Sequence, residues 1–208
     1  MHKPLSRVAL ALALTASLAG CATSRIESAW VDPSTTPQSF ALKRVITIAP
    51  VSDGVLRRSA EDALVRAILA GPRGQNGQLE ARPSYTLLEA NDLRNVDVAR
   101  KKVEAAGYDG AVLISFVSSQ QQVTVTPPSY NGGFWGPYGY GRSGMYYDPG
   151  SVRTDTILRL QVDIYSLADG KMLWSGMSRT FNPSSVDKLV TDVAEAVRDD
   201  LRERGLAN

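Results

Sequence analysis

The chain has 208 residues, with 23 basic and 21 acidic side chains and a formal net charge of +2. This near balance lacks the basic excess typical of nucleic-acid-binding domains, so we expect no nucleic-acid partner. Cys21 is the only cysteine, which excludes an intramolecular disulfide and leaves stability to the hydrophobic core.

Residues 1–20 have the layout of a secretory signal peptide. A basic start with Lys3 and Arg7 precedes an apolar run at 8–18, and small residues follow. The run is shorter than the ~20 apolar residues needed to span a bilayer. Leu18-Ala19-Gly20-Cys21 resembles the lipobox of bacterial lipoproteins. That resemblance implies cleavage before Cys21, a diacylglycerol on its thiol and usually an acyl chain such as palmitate on its new amino group. Two or more acyl chains make a stable membrane anchor.

Lipoprotein processing would change both the charge and the chemistry of the chain. Removal of Lys3 and Arg7 leaves 21 basic and 21 acidic side chains, and His2, the only histidine, leaves with them. A mature chain without histidine or a free thiol cannot form a Ser-His-Asp or Cys-His triad or a Cys/His zinc site. We therefore expect that the protein is not an enzyme and that it binds neither a metal ion nor a cofactor. Ala22, in place of Asp, resembles the sorting signal for the outer membrane, with the domain facing the periplasm.

The predicted elements of the first half begin after a lipidated tether at 21–42. Trp30 is unusual in a free linker, so residues 30–33 are candidates for docking on the domain. β-Branched runs, helical spacing of apolar residues and capping residues define the elements that follow. These are a strand at 43–51, a helix at 55–70 capped by Asp53, a loop at 72–77, a strand at 85–89 and a helix from Asn95 to about 106.

The second half is predicted to be richer in strands. It contains a buried strand at 111–117, its continuation at 120–126, an alternating strand at 151–167, a return strand at 171–181 and a helix at 185–204. Asp169-Gly170 is a hairpin turn, because a tight turn favours residues that tolerate positive φ. The order β-α-β-α-β-β-β-β-α predicts one α/β domain at 43–208, with a mixed sheet and about three packed helices.

Two motifs resemble catalytic or nucleotide-binding signatures. Ser185 and Lys188 form S-x-x-K, but the companion motifs of serine β-lactamases are missing, and a helix cap explains the serine better. Ser184 and Asp187 have the spacing of a capping box at the start of this helix. Residues 139–144 match G-x-G-x-x-G, yet no helix-forming sequence follows, so no dinucleotide site is expected.

Asp155 and Asp163 are candidates for a pair of catalytic acids. They share one strand face but lie eight residues, about 27 Å, apart, too far to act on one bond. A solvated polar face is the preferred interpretation.

Residues 127–150 form a long insertion rich in glycine, proline and aromatic residues. It could cover the sheet, bind an envelope protein, glycan or membrane surface, or act as a disordered spacer. The candidate partner-binding residues are Tyr130, Phe134, Trp135, Tyr138, Tyr140, Tyr146 and Tyr147.

Several short motifs together resemble a family of uncharacterised lipoproteins from Gram-negative bacteria. They are the lipobox, the insertion, Trp30-Val31-Asp32-Pro33, residues 83–88, Trp174-Ser175-Gly176 and residues 180–183. The resemblance implies no established activity. The layout alone is similar to lipoproteins that activate penicillin-binding proteins or build the curli secretion pore. We expect a non-enzymatic binding or scaffold lipoprotein; the alternatives are an oligomerising assembly subunit, through a sheet edge or the aromatic segment, and then an enzyme. The oligomeric state stays open.

Overall fold

A six-stranded mixed sheet forms the centre of the fold. The computed structural model describes residues 24–126, 129–130, 147–148 and 151–207. The strands are β1 Ser24–Val31, β2 Arg44–Ile48, β3 Glu80–Pro83, β4 Gly110–Thr126, β5 Ser129–Tyr130, β6 Tyr147–Asp148, β7 Ser151–Ser166 and β8 Lys171–Phe181. The main sheet has the order β1-β8-β7-β4-β2-β3, and β5 pairs with β6 separately. β2 is parallel to β3 and β4, whereas the other three pairings are antiparallel, which confirms the mixed α/β fold.

Four helices are present in the described part of the chain. They are α1 Gly54–Leu69, α2 Pro72–Gln75, α3 Val96–Ala105 and α4 Val186–Glu203. The side chain of Asp53 accepts hydrogen bonds at the start of α1, and Asn95 does the same for α3. Both caps agree with the sequence prediction. The expected loop at 72–77 instead contains the short helix α2.

The two faces of the sheet are covered unequally. α1 and α4 pack on one face, in a core that includes Leu64, Val193 and Trp174. α3 packs on the other face, in a smaller core that includes Val103 and Ile46. This smaller core involves β2, β4 and the end of β7, so the same face of β8 and β1 has no helix over it in the described residues.

The first strand, β1, corrects the expected tether. Residues 24–31 pair antiparallel with β8 at the edge of the sheet. Ile26, Ala29 and Val31 pack against the main core, while the intervening residues face outward. An edge strand that buries one face needs few apolar residues, which is why this stretch has the composition of a linker. The expected coil at 21–42 is therefore wrong over 24–31, and Trp30 is part of the sheet.

The second predicted strand, at 85–89, is also wrong. The strand lies earlier, at Glu80–Pro83, and residues 84–86 form a 3-10 turn. The backbone N–H of Tyr85 donates to the Glu61 carboxylate at 2.9 Å, not to a neighbouring strand. A tertiary hydrogen bond thus redirects a sequence with good strand propensity.

The predicted strands at 111–117 and 120–126 are one continuous strand, β4. The register against β7 shifts between Phe116 and Ser118, so Val117 is the extra residue of a β-bulge. The bulge changes which neighbours oppose each side chain but does not end the pairing.

A buried carboxylate joins α1 to the parallel half of the sheet. Glu61 is fully buried. Its Oε1 accepts hydrogen bonds from the Ala49 backbone N–H at 3.1 Å, Arg57 Nε at 2.9 Å and Ser84 Oγ at 2.7 Å. Oε2 accepts from the N–H of Tyr85. Arg57 Nη2 also donates to Ser84 Oγ and to the Leu88 carbonyl, so the ion pair is hydrogen-bonded on both sides.

We expect Glu61→Gln to lower the free energy of unfolding by about 3–5 kcal/mol, because it leaves the Arg57 guanidinium buried without its counter-charge. Chemical denaturation followed by circular dichroism measures the change. Glu89→Gln, at an exposed glutamate on the same segment, is the matched control and should shift stability by less than about 0.5 kcal/mol. A loss below about 1 kcal/mol for Glu61→Gln would contradict this role.

The motif Trp174-Ser175-Gly176 fits a steric requirement. The Trp174 side chain is fully buried, and its Nε1–H donates to Asp200 Oδ2 on α4 at 2.9 Å. A Cβ on Gly176 would lie 2.2 Å from Cη2 of Trp174. Residues i and i+2 of a strand share a face, so the indole ring occupies the space above the glycine.

Gly176→Ala should therefore destabilise the protein by about 1–3 kcal/mol, because the added methyl group overlaps the Trp174 ring. The control is Gly54→Ala, where a Cβ meets no atom within 4 Å. It should cost nothing and stabilise the start of α1 slightly. Thermal unfolding of both variants beside the wild type tests this; equal melting temperatures would show that the ring does not require the glycine.

Candidate functional site

The β4–β7 hairpin extends beyond the rest of the sheet. β2 pairs with β4 only as far as Leu113, and β8 pairs with β7 only from Ile157 onward. Residues 121–126 and 151–156 therefore pair with each other and with no third strand of the described chain. We call these two stretches the ribbon. It is the most exposed part of the sheet, and the insertion at 127–150 connects its two strands.

The two faces of the ribbon differ in polarity. Directly opposed residues of an antiparallel pair share a face. Val123 lies opposite Thr154, and Val125 lies opposite Val152. These three valines are 58%, 64% and 70% exposed, respectively. We call this side the valine face.

The opposite side of the ribbon is polar. It places Gln122 beside Asp155 and Thr124 beside Arg153. Arg153 Nε donates to Asp155 Oδ1 at 2.7 Å, so the charges of this side are paired with each other. The ribbon is consequently amphipathic, with the period of two that a strand imposes.

Asn182 fastens the base of the ribbon to the end of β8. Its φ of 45° is the only positive φ of a non-glycine residue among those described, and asparagine tolerates this region better than most. Its backbone N–H donates to the Thr156 carbonyl at 2.8 Å, and the Thr156 N–H donates to Asn182 Oδ1 at 2.7 Å. Asn182 Nδ2 donates to Asp155 Oδ1 at 2.7 Å. These contacts fix the point where β7 leaves the sheet.

The hydrogen bond from Asn182, followed by that from Arg153, lowers the pKa of Asp155 below its usual value. A carboxyl with a depressed folded-state pKa contributes stability that is fully present above the unfolded pKa of about 3.9 and is lost as the pH falls through the folded value. The base of the ribbon should therefore weaken in acid.

Asp155→Asn should remove this acid-sensitive contribution. Between pH 7 and about pH 3, the wild type should lose more stability than the variant, because only the wild type protonates this carboxyl. Denaturant unfolding at the two pH values measures the difference. Glu89→Gln leaves the contacts of Asp155 intact and should keep the wild-type dependence. Identical pH dependence of Asp155→Asn and the wild type would contradict the assignment.

A row of three arginines crosses the uncovered face beside the ribbon base. Arg25 lies opposite Arg179, and Arg179 lies opposite Arg159. Glu27, the extra residue of a bulge in β1, approaches Arg159 Nε at 2.9 Å and Arg179 Nη1 at 3.6 Å. Adjacent like charges repel, and the single Glu27 carboxylate pairs with two of the three guanidinium groups, so the row stays electropositive. Arg179 Nε is buried with no hydrogen-bond partner in the described structure, and the guanidinium lies over the Phe181 ring.

The start of β1 lies at the same end of the sheet as the ribbon. Ser24 is opposite Thr180, and their hydroxyl oxygens are 2.6 Å apart. Thr180 is in turn opposite Leu158, just inside the ribbon base. Cys21 precedes Ser24 by three residues in the sequence. The candidate lipidation site is thus covalently tied to the end of the sheet from which the ribbon projects.

Most of the predicted site residues lie outside the described residues. These are Cys21, Phe134, Trp135, Tyr138, Tyr140 and Tyr146. The remaining two, Tyr130 and Tyr147, are backbone register partners in the short β5–β6 pair. The sequence analysis predicted neither the valine face nor the arginine row. The alternation of Val123 and Val125 with polar residues does indicate an amphipathic strand at this position.

The other candidates from the sequence have structural contacts. Ser185, and not Ser184, caps α4, because the Lys188 backbone N–H donates to Ser185 Oγ at 3.1 Å. The Lys188 ammonium pairs with Asp192. The solvated position expected for Asp163 is wrong, since this residue is buried and its Oδ1 accepts from Ser175 Oγ at 2.5 Å.

Two apolar cavities flank the sheet. One of about 190 Å³ lies under α1 and α4, and the other, of about 320 Å³, lies beside α3. Across residues 24–126 and 151–207, no three or more His, Cys, Asp or Glu side chains converge as a metal site would require. The helices in these ranges are all too short or too polar to cross a bilayer.

Comparisons with known proteins identify similar folds at low identity. No family model and no curated protein matches the chain. A PelC dodecamer from Paraburkholderia phytofirmans is 12% identical over 85% of this chain and 95% of that one, with a TM-score of 0.42. Lipoprotein GNA1162 from Neisseria meningitidis is 16% identical over 77% of this chain and 99% of that one, with a TM-score of 0.38. Likenesses this distant carry no argument about activity or partners.

Proposed function

We propose that the chain is a lipid-anchored lipoprotein of the bacterial envelope whose domain binds a partner and catalyses no reaction. The observation that carries the proposal is Leu18-Ala19-Gly20-Cys21, which ends three residues before the first strand of the sheet. An acylated Cys21 would hold the domain directly against the membrane. Ala22 favours the outer membrane, with the domain in the periplasm.

A binding role, in preference to catalysis, is supported by what the candidate catalytic residues contact. Ser185 caps a helix, and Lys188 pairs with Asp192 instead of activating a hydroxyl. His2 would leave with the signal peptide, so the mature chain would have no imidazole to act as a general base. The aromatic residues of the insertion remain our candidates for contacting an envelope protein or glycan.

The alternative, an assembly subunit that adds strands at its sheet edges, is less well supported. β3 is four residues long and ends in Pro83, which cannot donate to a ladder. β1 is interrupted by the bulge at Glu27 and carries Arg25 facing out. Short, bulged and charged edges are the features by which proteins avoid edge-to-edge pairing. Strand addition would have to use the outer edges of the ribbon, which are unpaired in the described residues.

Metabolic labelling with a clickable fatty acid tests the anchor. The wild type should incorporate label and fractionate with outer membranes. Cys21→Ala should incorporate none and keep its signal peptide, because no thiol is present to receive the diacylglycerol. Ser24→Ala, just outside the lipobox, is the matched control and should label normally. A wild-type protein that takes up no fatty acid and fractionates with the soluble proteins would overturn the proposal.

A further inference from the structure

We infer that the ribbon lies flat in the interface of the bilayer that anchors Cys21, with its valine face against the acyl chains. The inference rests on the proposed lipidation of Cys21. It adds a second, non-covalent membrane contact, made by Val123, Val125 and Val152, which no sequence motif indicates.

The short chain between Cys21 and Ser24 keeps the membrane close to the start of β1. Ser24 is three residue steps from Cys21, and a fully extended chain spans at most about 3.6 Å per step. The membrane surface is therefore within about 11 Å of the start of β1. The ribbon projects from this same end, from Thr156 to Ser151, a length of about 17 Å at the usual strand rise. Because the ribbon is longer than the extended chain between Cys21 and Ser24, it meets the membrane or runs along it.

Backbone hydrogen bonding favours a ribbon that lies flat in the interface over one that inserts into the hydrocarbon. Each ribbon strand has a neighbour on one side only in the described structure. Insertion into the hydrocarbon would leave the outer row of backbone N–H and C=O groups without partners, and lipid offers none. In the interface, water and head groups satisfy these groups. A flat ribbon therefore avoids the cost that a buried one would incur.

The distribution of side chains on the ribbon also fits a flat position in the interface. Amphipathic elements bind the interface with the apolar side down and the charged side toward water. The valine face supplies the apolar side, and Phe116, 60% exposed, extends it toward the domain. Arg153 and Asp155 lie on the opposite side, where they remain in water. No charged residue of the ribbon has to be desolvated.

A lipid surface fits the valine face better than a second copy of the chain. A stable protein interface buries about 800 Å² on each partner, far more than three valines and a phenylalanine offer. The anchor also holds the ribbon base at the membrane at any protein concentration, so the lipid contact is intramolecular in effect. A second copy would have to compete with that permanently present surface.

Depth-dependent quenching on the full lipidated protein tests the inference. Four variants, Val125→Cys, Thr124→Cys, Val152→Cys and Arg153→Cys, each carry an environment-sensitive fluorophore on the new thiol. The first two variants form one pair and the last two another, and each pair compares adjacent residues on opposite faces. The proteins are reconstituted in vesicles of phosphatidylethanolamine and phosphatidylglycerol that contain brominated lipid. Quenching should be at least about twofold greater at Val125 and Val152 than at their neighbours, which reproduces the strand period of two. Flotation of the vesicles reports anchoring separately.

Each outcome is decisive for one proposal. Failure of the wild-type protein to float with the vesicles would reject the lipid anchor itself. Flotation with equal, weak quenching at all four positions would reject the ribbon contact and leave the anchor standing. A blue-shifted fluorophore at Val125 without quenching, together with energy transfer between copies, would show that a second copy covers the valine face, and would also reject the inference.

Discussion

The Glu61 carboxylate is the interaction on which the arrangement of the parallel strands depends. It accepts hydrogen bonds from the chain just after β2, from α1 itself and from the turn that follows β3. Three separate segments of the chain, between residues 49 and 85, therefore meet at the Glu61 carboxylate. Because hydrogen bonds to a buried charge are stronger than neutral ones, this contact sets where α1 crosses the sheet and where β3 ends. Arg57 offsets the cost of burying the carboxylate, and its remaining donors reach the chain as far as Leu88.

The antiparallel half depends on packing more than on charge. The Trp174 ring fills the space above Gly176 and hydrogen-bonds to α4, so β8 and the last helix are placed together. β8 ends at Phe181, and the positive φ and amide contacts of the next residue, Asn182, mark the point beyond which β7 pairs only with β4. The ribbon can project because its neighbouring strands stop earlier, and not because its own sequence is unusual. Its position follows from the lengths of β2 and β8.

Local signals in the sequence predicted α1, α3 and α4, the caps at Asp53 and Asn95 and the β7–β8 hairpin, because each depends on residues close together in the chain. β1 and β3 were not predicted correctly, because their placement depends on distant partners. β1 is recognisable only once β8 is available to pair with it. Tyr85 has a strand-like sequence around it, but its N–H is taken by a carboxylate 24 residues earlier. The ribbon was predicted as strand, while its exposure depends on where other strands end.

The short link between the proposed lipidation site, Cys21, and the first strand would also have a mechanical consequence. With the proposed lipid on Cys21, a force that pulls the domain away from the bilayer would act on the first residue of β1, since only Ala22 and Thr23 lie between it and Cys21. The hydrogen bonds between β1 and β8 then resist the load one after another. Each residue of β1 that detaches lengthens the leash by about 3.3 Å. Under the proposed anchoring, tension would be needed to detach β1, and the domain would stay close to the lipid until β1 separated from β8.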